Sequence, residues 1–230
     1  MSLSENIANV RKRIKEAAKR AGSEADSIKL LAVTKTHPVI TISQALKAGI
    51  EYIAENKVQE AEEKIPFLKG RYKEFHFVGH LQSNKIKRLM KLEPKLIHSI
   101  DTYSTAEKLN KYLNKLNQTQ NILIQVNTSY EESKFGVEPD KALALIEKIS
   151  RLKQIKIRGL MTIGKFSPVE AEVRKSFRKL SEIFQKAKNI EKVEMKYLSM
   201  GMTNDFEIAI EEGANLVRIG TAIFGQREYK

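Results

Sequence analysis

The sequence alternates between two hydrophobic periods along almost its whole length, and this alternation limits the fold more than any other feature. Short apolar runs with β-branched members, typical of buried strands, occur eight times, at residues 28–35, 50–54, 75–79, 95–100, 121–127, 155–161, 193–199 and 215–220. Helix-like stretches separate them, the clearest at 39–48, 56–68, 83–91, 102–116, 139–150, 168–188 and 204–213. This pattern predicts a parallel sheet covered by helices.

Eight strand–helix units predict an α/β fold of the (β/α)8 (TIM) barrel type, which needs about 200 residues or more. The chain has 230 residues, and no Pro/Gly/Ser-rich linker divides it, so we expect one domain over residues 1–230. A doubly wound open sheet is the alternative, but it rarely uses eight strands so evenly spaced. An extra N-terminal helix over 5–20, with Gly22 after it, is expected to complete the outer ring. Its apolar face carries Ile7, Val10, Ile14, Ala17 and Ala18.

The composition excludes several classes of site. There is no cysteine, so disulfides, thiolate metal sites and cysteine nucleophiles are excluded. His37, His76 and His98 lack metal-ligand spacing, and His76 and His98 lie inside strands, where packing is the expected role. No apolar run approaches the ~18 residues that cross a bilayer. The N-terminus lacks the apolar centre of a signal peptide. We therefore expect a cytoplasmic protein without a metal and without membrane contact.

The net charge of +13 raises the hypothesis of a basic barrel that binds nucleic acid. The lysines, however, are spread over many segments and lie among glutamates. Residues 84–95 are locally basic but have no interleaved aromatic residues for base stacking. The pattern favours a solvated lysine-rich surface, which would also attract an anionic small ligand.

Lys35 is the sharpest candidate for chemistry. In a barrel of this kind the active site lies at the carboxyl ends of the strands, and Lys35 ends the first strand. Desolvation in a partly enclosed mouth would lower the pKa of its amine and allow attack on an aldehyde. The alternative is an ordinary strand-end lysine that points to water. His80 also follows a strand and is a weaker candidate for the mouth.

Two loops near the end of the chain favour a phosphate ligand. The segment SMGMTND (199–205) follows the seventh strand, and RIGTAIFG (218–225) spans the end of the eighth strand and a short final turn. Small residues and hydroxyls at a helix start offer backbone N–H groups to a phosphate, and barrel enzymes often bind phosphate after strands seven and eight. Each loop alone could be an ordinary turn. Beside a lysine at the mouth, the two together favour a phosphorylated aldehyde.

Dense motifs along almost the whole chain carry a family resemblance. They are AVTKTHP (32–38), ENKVQE (55–60), HFVGHLQSNKIK (76–87), IHSID (97–101), ILIQVNTSYEESKFGV (122–137), RGLMTIG (158–164) and LSMGMTNDFEIAIEEGANLVRIGTAIFG (198–225). With these motifs the chain resembles the pyridoxal phosphate homeostasis proteins, a family similar to the N-terminal barrel of alanine racemase standing alone.

The resemblance implies pyridoxal 5'-phosphate (PLP) as cofactor, with Lys35 as the residue that forms the Schiff base. It implies Arg218 near the pyridine nitrogen and Asn56 facing the cofactor from the second strand. Around the phosphate it implies Ser199, Gly201, Gly220 and Thr221. Lys134 and Phe135 match the family motif without an assigned role, and Ala54 stands where glycine is common.

The resemblance also bears on whether the protein is an enzyme. PLP catalysis usually needs a protonated pyridine nitrogen, which an acidic residue beside it supports. The guanidinium of Arg218 is always charged and cannot accept a proton, so it would keep that nitrogen unprotonated. The tyrosine base of alanine racemase would come from a second domain, which we do not expect in a chain that ends at Lys230, directly after the barrel. We therefore expect a monomeric protein that holds PLP for homeostasis without turnover. Other B6 vitamers and PLP-dependent apo-enzymes are further expected partners. The alternative is a racemase-like PLP enzyme that acts on a small amino acid.

Overall fold

A computed structural model describes residues 2–226, and within them the eight predicted strands form one closed parallel barrel. Met1 and residues 227–230, the two ends of the expected domain, lie outside the described residues. The strands are β1 (Lys29–Val33), β2 (Tyr52–Glu55), β3 (Glu74–Phe77), β4 (Leu96–Ile100), β5 (Gln120–Gln125), β6 (Ile155–Met161), β7 (Tyr197–Ser199) and β8 (Leu216–Ile219). Each strand pairs with its neighbour in sequence, and β8 pairs with β1. The predicted TIM barrel is confirmed, and the open sheet is wrong.

The predicted helices are also present, with shorter bounds in most cases. They are α1 (Leu3–Arg20), α2 (Val39–Lys47), α3 (Val58–Leu68), α4 (Ile86–Met90), α5 (Tyr103–Leu116), α6 (Ala142–Ser150), α7 (Glu170–Ala187), α8 (Phe206–Glu211) and α9 (Thr221–Phe224). Three 3₁₀ turns, Ala25–Ser27, Ser83–Lys85 and Pro139–Lys141, precede β1, α4 and α6. None of the helices in the described part of the chain is long and apolar enough to cross a membrane.

The seventh strand is much shorter than its hydrophobic run predicts. The run covers 193–199, but only the last three residues form β7. Lys192 has a left-handed backbone conformation (φ 66°), so the chain turns just before the run. Regular pairing with β6 begins at Tyr197, opposite Gly159. A Cβ at Gly159 would overlap the Tyr197 carbonyl, so this register requires glycine.

Helix α1 completes the outer ring, as predicted, and packs against α2, α8 and α9. Its buried residues are those of the predicted apolar face. Arg13 anchors it to α8 with a two-pronged ion pair, Nε–Oε1 2.7 Å and Nη2–Oε2 2.9 Å, to Glu207. The Arg13 guanidinium also lies 4.5 Å from the ring centre of Phe206. The short α9 leaves a gap in the ring, and α1 covers it.

The core has two parts. A large cluster fills the space between the barrel and its helices. A smaller cluster fills the barrel lumen and consists of Leu31, Val33, Ala54, Leu96, Leu123, Met161 and Leu216. The lumen also holds polar side chains, among them His76 and His98, each almost wholly buried. These polar groups lead from the interior to the carboxyl ends of the strands, where the candidate site lies.

Candidate cofactor site

A cavity of about 470 Å³ opens at the carboxyl ends of the strands, a size typical of small-ligand sites. Five of the seven predicted site residues line it: Lys35, Asn56, Arg218, Gly220 and Thr221. Other lining residues are Val33, His37, Val78, Gly79, His80, Gln125, Phe135, Met161, Ile163, Phe166, Met202, Thr203, Asn204, Asp205 and Gly225. The structure therefore brings together residues from both ends of the sequence, as a barrel mouth requires.

Lys35 follows β1 directly and is half-buried at the cavity wall. The next residue, Thr36, has a left-handed backbone (φ 68°), which is costly for a residue with a β-branched side chain. Its N–H donates to Oε2 of Glu60 at 2.7 Å. This bond holds the turn that carries the chain away from Lys35.

A buried cluster of charged groups supports the backbone around Lys35. Lys64 of α3, 8% exposed, donates to Oε1 of Glu55 at 3.0 Å, to Oε2 of Glu60 at 2.9 Å and to the Thr34 carbonyl at 3.1 Å. Thr34 Oγ1 donates to the same Glu55 oxygen at 2.6 Å. Burial raises the pKa of Glu55, against the bonds from Thr34 and Lys64. The cluster thus ties β1, β2 and α3 together behind the predicted aldehyde-binding lysine.

Asn56 is held beside the cavity with an unsatisfied acceptor. Its side-chain Oδ1 is buried and has no hydrogen-bond partner. Its backbone is packed against Gly79, where a Cβ would overlap the Asn56 carbonyl. Unpaired buried acceptors are rare and costly, so a ligand hydroxyl that donates to Oδ1 would remove a penalty.

Arg218 of β8 lies at the floor of the cavity and is 5% exposed. Nη1 donates to Ser199 Oγ at 2.8 Å, and Nη2 donates to the Thr162 carbonyl at 2.8 Å. Burial lowers the pKa of the guanidinium to about 10, while the charge of Asp205 acts in the opposite direction. The group therefore stays charged at neutral pH and presents a fixed positive charge to the cavity.

The loops after β7 and β8 form a further part of the cavity wall, and β8 is the neighbour of β1. Gly201 has φ 90°, and a Cβ there would lie 2.6 Å from that of Ala209. Asp205 accepts from the Met202 N–H at 2.6 Å, and Thr203 Oγ1 accepts from the Ala222 N–H at 3.2 Å. The first bond closes the loop after β7, and the second joins it to the segment after β8. Thr203, Asn204, Gly220 and Thr221 of these loops line the cavity.

Two predicted residues lie beside the cavity rather than on its lining. Ser199 and Gly201 are both buried, and Ser199 Oγ is bonded to Arg218 and lies 3.0 Å from Nδ1 of His98. Its hydroxyl is therefore occupied in the lumen. The phosphate contacts that the family resemblance implies for Ser199 and Gly201 stay predictions.

The cavity lining also contains His80, which the sequence named only as a weaker candidate for the mouth, and His37 and Asp205, to which it gave no role in the site. His37 stacks on Phe224 with ring centres 4.5 Å apart, and His80 stacks on Phe135 at 3.9 Å. Asp205, whose pKa is raised by burial, also lines the cavity. Both histidines follow strand ends in the sequence; this signal pointed to His80 and could also have pointed to His37. Within residues 2–226, no three His, Asp or Glu side chains form a group that could hold a metal ion.

A TIM barrel with a lysine at the end of its first strand and a buried arginine in its last strand is a domain of the alanine racemase N-terminal type. The family model described as "Alanine racemase, N-terminal domain" matches residues 6–228. Two curated relatives, from Aquifex aeolicus and Vibrio cholerae, are 42% and 40% identical over 229 and 233 aligned residues, and both bear the name pyridoxal phosphate homeostasis protein. These alignments cover 100% of this chain and 100% of the first relative, and 99% of this chain and 98% of the second. The chain belongs to the family of pyridoxal phosphate homeostasis proteins.

A solved structure of PipY from Synechococcus elongatus with PLP bound is also similar. It is 31% identical, with a TM-score of 0.81, over 97% of this chain and 100% of that chain. The resemblance inferred from the motifs is thus confirmed at the level of the family and of the fold.

Proposed function

We propose that the chain binds PLP in this cavity, with the amine of Lys35 joined to the aldehyde carbon, and serves PLP homeostasis by holding the cofactor. One observation carries the proposal: Lys35 after β1 and the buried Arg218 of β8 line the same cavity of about 470 Å³. Membership of the homeostasis family supports it, as does the PLP-bound PipY structure.

The residues around the cavity fit the parts of this cofactor. The Lys35 amine suits the aldehyde, and the unpaired Oδ1 of Asn56 suits the ring hydroxyl. Gly220 and Thr221, together with the loop after β7, suit the phosphate, because small residues let backbone N–H groups approach an anion. The overall charge of +13 also favours an anionic ligand.

The chain's own residues favour holding over turnover. Bound PLP supplies an electron sink for carbanion chemistry, and this sink is strongest when the pyridine nitrogen is protonated. Arg218 cannot accept a proton, and its fixed charge disfavours a proton on a nitrogen beside it. The site therefore binds and orients the group while it weakens the sink.

Chemical trapping of the linkage tests the central claim. Borohydride reduction of the PLP-loaded protein, followed by peptide mass mapping, should give a pyridoxyl adduct on Lys35. The Lys35→Arg variant should lose this adduct, and Lys47→Arg, which changes an exposed lysine of α2, should keep it. An adduct that maps elsewhere in the wild-type protein would overturn the assignment.

One observation favours a second candidate function, racemase-like turnover of a small amino acid. His80 lines the same cavity as Lys35 and offers a second group that can exchange a proton. NMR of L-alanine and D-alanine in D2O with the PLP-loaded protein separates the two functions. We expect no α-proton exchange above that of free PLP. Exchange that disappears in His80→Gln would instead establish an enzyme.

The remaining expectations stay predictions: delivery of PLP to apo-enzymes, binding of other B6 vitamers, a cytoplasmic location, a monomeric state and a single domain over 1–230. For the nucleic-acid alternative, several surface lysines are paired locally, for example Lys111 with Glu107 and Lys141 with Glu138. We expect no binding of DNA or RNA with steep salt dependence, and such binding would favour that alternative.

A further inference from the structure

A line of polar side chains crosses the barrel lumen below the cavity. From Arg218 Nη1 it passes to Ser199 Oγ (2.8 Å) and on to Nδ1 of His98 (3.0 Å). From Nε2 of His98 it passes to Nδ1 of His76 (2.9 Å), and from Nε2 of His76 to Oε2 of Glu74 (3.0 Å). The line joins β8, β7, β4 and β3, and the proposed function gives no other role to His98, His76 and Glu74.

Both ends of this line have a fixed hydrogen-bonding role. The guanidinium of Arg218 can only donate, so Ser199 Oγ accepts from it. At the other end, hydrogen bonds from His76 and Lys29, the first the stronger influence, hold the pKa of Glu74 at about 2. An ionised carboxylate can only accept, so Nε2 of His76 carries a proton.

The protonation state of the two histidines fixes the steps between these ends. Burial lowers the pKa of both rings, and the positive charges that face them, Lys29 and Lys95 for His76 and Arg218 for His98, act in the same direction. Only Glu74 opposes this effect, at His76. Both rings are therefore neutral, and each carries a single N–H.

A neutral His76 that donates through Nε2 must accept through Nδ1, so His98 donates to it from Nε2. His98 then accepts through Nδ1, and the partner that donates is the Ser199 hydroxyl. Every donor in the line thus points away from the cavity and towards Glu74. The Ser199 proton is used in the lumen, which leaves the oxygen to accept from Arg218.

We propose that Glu74, His76, His98 and Ser199 form a directed hydrogen-bond relay that orients the guanidinium of Arg218. His98 and His76 are then positioning residues of the cofactor site. The geometry supports this role because Arg218 takes part in none of the ion pairs among the described residues. Its two Nη groups are held by Ser199 Oγ and the Thr162 carbonyl. If His98 no longer accepts from Ser199, the Ser199 hydroxyl loses its fixed orientation, and with it one of the two hydrogen bonds that hold the guanidinium. The consequence for the cofactor rests on the proposed function, whereas the relay itself does not.

The tautomers of the histidines test the relay without any cofactor. Long-range ¹H–¹⁵N spectra of the labelled, PLP-free protein should show two neutral rings protonated at Nε2 that do not titrate between about pH 6 and 8. The chain has four histidines, and His37→Gln and His80→Gln assign the two signals that do not belong to the relay. A proton on Nδ1 of either lumen histidine would overturn the relay, even if no lumen variant folds.

Two substitutions of His98 test the positioning role in the PLP-loaded protein. His98→Leu removes the acceptor for Ser199, and His98→Asn keeps a side-chain acceptor near Nδ1. We expect His98→Leu to shift the absorption maximum of bound PLP and to weaken binding about tenfold, and His98→Asn to restore both in part. Wild-type spectra and affinity in both variants would overturn the positioning role. Failure of the wild-type protein to bind PLP would instead overturn the proposed function and leave the tautomer result standing.

Discussion

The ammonium of Lys64 lies 3.0 Å from Oε1 of Glu55, in a buried ion pair directly behind the strand end that carries Lys35. The Glu55 side chain is fully buried, and that of Lys64 is 10% exposed. Lys64 also donates to the Thr34 carbonyl, so the buried ion pair is bonded directly to the backbone next to the site. Neither residue lines the cavity, yet both bind Thr34, the residue that precedes Lys35.

Loss of the Lys64 ammonium should destabilise the fold strongly. Lys64→Met leaves Glu55 buried without its cation, and breaking a buried pair in this way costs about 3–5 kcal/mol. Urea unfolding of the PLP-free protein measures the change. The matched control is Lys69→Met, which removes an exposed, solvent-screened pair with Glu93 and should leave the free energy of unfolding nearly unchanged. Equal losses in the two variants would contradict the supporting role of the buried cluster.

Acid should destabilise the protein already below pH 6.5, before most carboxylates titrate. Burial lowers the pKa values of His76 and His98 in the folded protein. Below pH 6.5 these two histidines are therefore protonated in the unfolded chain but not in the folded one. The free energy of unfolding then falls with pH, by up to about 1.4 kcal/mol per pH unit for each ring. A further loss follows as pH falls from 4.5 towards 2, where Glu74 becomes protonated.

Unfolding titrations between pH 8 and 5 check this expectation. His98→Asn should have a shallower slope than the wild-type protein, because one titrating ring is removed. Lys69→Met, which removes an exposed ammonium whose pKa lies far above this range, should keep the wild-type slope. If stability is flat from pH 6.5 to 5, neutral buried histidines in the lumen are excluded.

Asn56 should show opposite effects on stability and on binding. Asn56→Leu removes an unsatisfied buried acceptor, so the PLP-free protein should keep its stability or gain up to about 1 kcal/mol. The same change should weaken PLP binding, because the proposed partner of the ring hydroxyl is gone. Gln125→Leu provides the contrast, since it leaves the Phe135 carbonyl without its 2.8 Å bond and should cost about 1–3 kcal/mol. Urea unfolding and absorbance titration with PLP measure the two effects. A large loss of stability in Asn56→Leu would show that Asn56 is structural.

Gly201 should tolerate no side chain. Gly201→Ala combines a positive φ of 90° with a Cβ 2.6 Å from that of Ala209, and we expect a loss of about 2–4 kcal/mol. Gly22→Ala has a positive φ of 63° but open space around the new methyl, so it should cost about 1 kcal/mol. Thermal and urea unfolding compare the two. A similar cost in both would mean that the loop before α8 moves to make room.

The sequence by itself determined the barrel, since eight apolar runs separated by helical stretches leave few other ways to bury both faces of a parallel sheet. It also placed Lys35 at a strand end, because the apolar run stops there. The bounds of β7 were not predictable from the run 193–199, because they depend on Gly159 and on the turn at Lys192.

Only the tertiary structure decided how the polar groups pair. His76 and His98 are 22 residues apart in sequence and read as packing residues, and their bond exists only because neighbouring strands place both rings in the lumen. The family resemblance implies a phosphate contact for Ser199, which stays a prediction, and only closure of the barrel places its hydroxyl between His98 and Arg218. Periodicity reports which side chains are buried, whereas hydrogen-bond partners depend on the register and closure of strands that are far apart in the chain. For that reason the position of Lys35 could be predicted from the sequence, whereas the hydrogen-bond network below its cavity could not.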